Sequence, residues 1–122
     1  MNQALKRKYR EYNRRYFSGR LPKDTVVDWH YELKNDAMGG CHVHGQMKCS
    51  EVPESYGHCH GKHLILVNTS LWDFREVSYM TLLHEMNHLD VELRGNPYGP
   101  HGVMFQSGVH RLVRLGALDR LF

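Results

Sequence analysis

His84-Glu85-Met86-Asn87-His88 sets two imidazoles four residues apart, with a carboxylate beside the first. On a helix, residues four apart differ by about 40° in direction, so both rings leave the same face. One Zn²⁺ ion can then accept a nitrogen from each at about 2.0–2.1 Å. Glu85 projects beside the open side of such an ion. There it can take a proton from an activated water and return it to a leaving amine. In a chain of this composition, chance alone yields the pattern only about 0.04 times. The expectation is one Zn²⁺ per chain, with His84 and His88 as ligands and Glu85 as general base.

A catalytic zinc needs a third protein ligand and an open position. Three residues are candidates by position. His101 follows a turn-rich loop that could fold it back to the metal. Glu92 lies on the same helical stripe, one turn farther along the axis, where a solvated charge is the plainer reading. His110 lies deeper in the last helical segment and reads as a surface or supporting residue. A metzincin signature would require Gly at position 91 and His at position 94. Val91 and Arg94 stand there, which excludes that class.

The elements that must position these groups are legible in outline. Leu5, Tyr9, Tyr12 and Tyr16 recur at helical spacing and predict an amphipathic helix over 3–17, closed by Gly19 and Pro22. Residues 26–33 read as a strand with Val27, Trp29, Tyr31 and Leu33 on one face. Residues 38–47 form a weaker strand candidate, 48–61 a loop bordering the cleft, and Leu64–Val67 a short buried strand. The His-Glu helix is expected to start on a capping box from Asp73 and Glu76 and to end at Gly95 and Pro97. A last helix, over 101–115, should bury Val103, Met104, Phe105, Val109, Leu112, Val113 and Leu115. The order helix, strands, helix, helix is α+β, with helices packed on a small sheet.

The chain has 122 residues, 41% of them apolar and 24% charged, which suits one globular domain spanning 1–122. No run of 18 apolar residues occurs, and the opening MNQALKRKYREYNRRYF has no signal-peptide stretch, so a cytoplasmic location is expected. Cys41, Cys49 and Cys59 are odd in number and do not resemble a secreted disulfide framework. With His42, His44, His58, His60 and His63 they could form a second metal site, but no pair has C-x2-C spacing, and a solvated loop is preferred. Lys6, Arg7, Lys8, Arg10, Arg14, Arg15, Arg20 and Lys23 face a single acid, Glu11, in the first 23 residues. The whole chain carries only +3, so its charge is concentrated at this end. Weak, salt-sensitive binding of DNA through Lys6, Arg7, Lys8, Arg10, Arg14 and Arg15 is expected.

Several ordered stretches resemble the SprT-like family, which includes the Spartan DNA–protein crosslink proteases. Tyr12-Asn13 through Phe17, Gly19 and Leu21-Pro22 is similar to its opening signature. Leu64-Ile65-Leu66-Val67-Asn68 with Leu71-Trp72 resembles the strand before its active-site helix. Thr81-Leu82-Leu83-His84-Glu85-Met86-Asn87-His88 resembles its zinc helix, and His101-Gly102-Val103-Met104-Phe105 its later His-Gly-x-x-Phe element. The resemblance implies a zincin-like minimal metallopeptidase domain, with His101 as the third zinc ligand. It also implies a zinc-dependent endopeptidase acting on protein substrates, with DNA association as the family's theme. Tyr98 and His110 are candidates for steadying an oxyanion. A second reading is a non-catalytic, zinc-stabilised nucleic-acid-binding module. The basic first helix favours that reading. Glu85 counts against it, because a structural site has no use for that carboxylate.

Overall fold

The computed structural model describes residues 2–31, 37–42 and 62–119. Helix α1, Asn2–Tyr16, forms where the tyrosine stripe predicts it, and Leu5, Tyr9, Tyr12 and Tyr16 are all buried. Its end is held by side chains rather than by spacing alone. Asn13 Nδ2 donates to the Leu21 carbonyl at 2.9 Å, and Leu21 N–H donates back to Asn13 Oδ1 at 3.0 Å. The Tyr9 hydroxyl lies 2.7 Å from the Pro22 carbonyl and 2.9 Å from Thr25 Oγ1. Burial of that phenol pushes its pKa up to about 12.

Three strands form one sheet in the order β1-β3-β2: β1 Val26–His30, β2 Gly39–His42 and β3 Leu64–Asn68. β1 runs parallel to β3, with Val26 opposite Leu64, and β2 runs antiparallel to β3, with Gly39 opposite Val67. Side chains alternate across the sheet. Val27, Ile65 and Val67 join the main core with α1 and the second helix, while Leu64 and Leu66 pack with Val26 and Ala37. The first strand is shorter than its sequence suggests. It ends at His30, Tyr31 is 72% exposed, and Leu33 falls outside the described residues. The strand expected over 38–47 is described only as Gly39–His42, and the loop expected over 48–61 lies outside the described residues.

A single 3-10 turn, Thr69–Leu71, leads into helix α2, Arg75–Leu93. The expected capping box is not formed. Phe74, not Asp73, occupies the cap position and makes no side-chain cap bond. The entry is tied instead by Ser78, whose Oγ lies 2.6 Å from the Leu71 carbonyl and 2.9 Å from that of Phe74. α2 is the central helix, with Thr81, Leu82, Leu83, Glu85, Met86, Asn87, Leu89, Asp90 and Val91 all buried. The helix stops at Leu93, and Gly95 just beyond its Arg94 cap takes left-handed backbone (φ 78°), the stop the sequence predicts.

Helix α3, Val103–Arg114, buries a narrower stripe than its apolar content suggests: Phe105, Gly108 and Leu112. Val103, Val109, Val113 and Leu115 are exposed and Met104 is half-buried, so most of the expected core contacts of this helix are not made. Periodicity locates apolar residues but does not supply a partner for them. Here only the Phe105, Gly108 and Leu112 stripe of α3 is covered. Among the described residues, no helix is long and apolar enough to cross a membrane.

Candidate metal centre

α2 runs between the sheet and α3, and the three histidines gather on its α3 side. His84 and His88 leave α2 one turn apart. The chain then turns through 94–102, where Asn96 Nδ2 donates to the Gly99 carbonyl at 2.8 Å and Tyr98 N–H donates to Asn96 Oδ1 at 3.1 Å. Gln106 Nε2 donates to the His101 carbonyl at 3.1 Å, which ties the returning segment to the first turn of α3. His101 is thereby brought back over α2. Its Nε2 lies 3.1 Å from that of His88 and 3.4 Å from that of His84, and the two α2 nitrogens are 3.2 Å apart.

Hydrogen bonding alone cannot satisfy this triangle. A neutral imidazole nitrogen is either a donor or an acceptor, so at least two of the three must be alike and repel. A cation facing three lone pairs removes the conflict. Three ligands at about 2.0–2.1 Å from a tetrahedral zinc stand about 3.3–3.4 Å apart. The observed 3.1–3.4 Å separations fit that donor set with little adjustment. Burial, and then the charges of His84 and His101, hold the His88 pKa down to about 3. His88 is therefore neutral at physiological pH, the form in which imidazole binds metal. The three histidines are the only group of His, Cys, Asp and Glu among the described residues so arranged that they could hold a metal ion.

Glu85 is buried on α2, beside the start of β2. A Cβ at Gly39 would lie 3.0 Å from Glu85 Oε2 and 2.6 Å from Thr81 Cγ2. The bare backbone of β2 thus leaves the room that this carboxylate occupies. The paired glycines at the start of the strand are the sequence signal for such close approach.

The other candidates separate from the cluster. Glu92 is not part of it, and its Oε1 accepts from Asn96 Nδ2 at 3.2 Å. His110 is exposed on α3 and also lies outside the group. Tyr98 is 61% exposed on the α2–α3 turn. Of the cysteine- and histidine-rich stretch, Cys41 packs against the main core, whereas Cys49, Cys59, His44, His58 and His60 lie outside the described residues. Phe105, expected in the core and as the end of the His-Gly-x-x-Phe element, also lines the cluster. The Phe105 ring stacks on His88, with centroids 4.3 Å apart and planes at 26°, and meets His84 and His101 edge-on at 4.9 Å each.

No curated protein matches the chain. A family model described as the SprT-like family matches residues 5–118. That span runs from the first core residue of α1 through the histidine cluster to the end of α3. With the fold and the cluster both inside it, the chain belongs to the SprT-like family.

Proposed function

We propose that the protein is a zinc-dependent endopeptidase of zincin-like architecture. The observation that carries the proposal is the convergence of three imidazole Nε2 atoms within 3.1–3.4 Å, two of them from the helix that also holds a buried glutamate next to His84. A zinc ion held by His84, His88 and His101 would supply Lewis-acid polarisation of the scissile carbonyl and acidify the attacking water. Glu85 accepts the proton that this water loses as its oxygen bonds to the carbonyl carbon. It then gives that proton to the amine nitrogen as the carbon–nitrogen bond breaks. A structural zinc site would close the fourth position with another side chain. No fourth His, Cys, Asp or Glu joins the three among the described residues, which favours the hydrolytic reading over the binding-module reading.

DNA association is the second part of the proposal. Lys6, Arg7, Arg10, Arg14 and Arg15 are exposed on α1, while the tyrosines between them face the core. Lys8 is partly engaged, 2.8 Å from Glu11 Oε2. Such a surface meets phosphates without reading bases. The buried tyrosines are not available for base stacking.

The decisive test of the hydrolytic reading is Glu85→Gln in zinc-loaded protein. Glutamine keeps the shape but cannot take the proton, so hydrolysis of a generic protein substrate should fall about 10²–10⁴-fold while zinc content stays at one per chain. A zinc-loaded variant with wild-type turnover would reject Glu85 as the base. Chelation should abolish wild-type hydrolysis, and added zinc should restore it.

A further inference from the structure

Asn87 is fully buried between the two histidines of α2, on the side facing α3. Its Nδ2 donates to the Phe105 carbonyl at 2.9 Å. Its Oδ1 is buried with no hydrogen-bond partner. A Cβ built on Gly108 would lie 2.0 Å from that oxygen and 2.8 Å from the amide carbon. The two helices therefore cross at one spot, where a side-chain amide on α2 fills the space that a missing side chain leaves on α3.

Glycine inside a helix and a buried acceptor without a partner are each unfavourable. Both are present here and both follow from one requirement: α3 must lie close enough for Asn87 to reach Phe105. Phe105 is 5% exposed, and its ring touches all three histidine rings. The contact with His88 is stacked, and the other two are edge-on.

We propose that Asn87, Gly108 and Phe105 form a positioning unit that fixes the directions of the three histidines. Asn87 and Gly108 set the register and distance of α3, and Phe105, carried on α3, forms the floor against which the imidazoles rest. The unit touches neither substrate nor reacting atoms. It limits ring rotation, so the three nitrogens converge before a metal arrives. It also closes one side of the cluster to water. The proposal rests on the reading of His84, His88 and His101 as metal ligands.

The test measures zinc affinity by competition with a chromogenic chelator, and the visible spectrum of cobalt-substituted protein, with thermal unfolding recorded in parallel. Phe105→Leu keeps an apolar side chain but removes the ring, and Gly108→Ala forces α3 off Asn87. Both should weaken zinc binding about 10–100-fold, the range seen when groups that orient metal ligands are lost, and both should alter the cobalt spectrum. Asn87→Ala removes the bond to the Phe105 carbonyl and should weaken zinc binding in the same direction. If Gly108→Ala does not fold, Phe105→Leu and Asn87→Ala decide the matter. Wild-type affinity and spectrum in Phe105→Leu would reduce the unit to ordinary packing and overturn the proposal, whatever the melting temperature. Wild-type zinc affinity in Asn87→Ala would overturn the register argument. Wild-type protein that takes up neither zinc nor cobalt would reject the metal site itself, an outcome distinct from the other two.

Discussion

The two longest helices of the molecule treat their polar residues in opposite ways. α1 turns Lys6, Arg7, Arg10, Arg14 and Arg15 to solvent and a leucine–tyrosine stripe to the core. α2 keeps Thr81, Glu85, Asn87 and Asp90 inside, among Leu82, Leu83, Met86 and Leu89. Asp90 is balanced there by Arg94, 2.6 Å away, and by Arg20 at 3.6 Å. A surface helix spends its polar residues on hydration and can change them cheaply. A central helix retains polar residues only where partners or chemistry justify the cost of burial. The difference points to α2 as the seat of function and to α1 as a scaffold with an electrostatic outer face.

That contrast can be broken at three levels. The largest effect should come from the histidine cluster fed by α2. His101→Ala should lower zinc affinity by more than the roughly 100-fold that losing an orienting partner costs, whereas Glu92→Gln should leave metal content near one per chain. Metal analysis after dialysis checks both, and the reverse pattern would move the third ligand to Glu92. An intermediate effect should come from the one buried amide of α1. Asn13→Ala removes both hydrogen bonds to Leu21 and should cost about 2–3 kcal/mol in denaturant unfolding. A loss well under 1 kcal/mol would mean that the tyrosine stripe alone holds α1. The smallest effect on stability should come from the outer face. Changing Lys6, Arg7, Arg10 and Arg14 together to Gln should shift stability by less than about 1 kcal/mol. The same variant should flatten the slope of log affinity for single-stranded DNA against log salt by about 3. Equal binding by variant and wild type would remove α1 as a nucleic-acid surface and leave the metal centre untouched.

The same contrast explains what the sequence makes legible. The α1 stripe and the His84, Glu85 and His88 spacing are periodic, and periodicity is a local property. That spacing leaves His101, Glu92 and His110 open as the third partner, and the resemblance to the SprT-like family is what singles out His101. Other features depend on what lies across a contact. Nothing near Asn87 in the chain indicates that it will bond the Phe105 carbonyl, because the helix crossing is set by Gly108. A lone glycine in an otherwise helical stretch is the only hint. Val103, Val109, Val113 and Leu115 mislead for the converse reason, since they are spaced for burial on a helix of which only the Phe105, Gly108 and Leu112 stripe is covered. The cap of α2 shifts from Asp73 to Phe74 because Ser78, inside the helix, already ties the entry to the Leu71 and Phe74 carbonyls.

The parallel pairing of β1 with β3 separates the molecule into two folding problems. His84 and His101 are 17 positions apart, and one helix, one turn and a second helix bring them together. The sheet must instead join Val26 to Leu64 across a far longer stretch of chain. Short-range contacts form early and distant strand pairings late. Stopped-flow folding should therefore show protection of α2 and α3 amides ahead of those of β1. Were the three histidines to hold zinc, as proposed, an ion held by so short a stretch could bind a partly folded chain, and zinc present from the start of refolding should raise the folding rate.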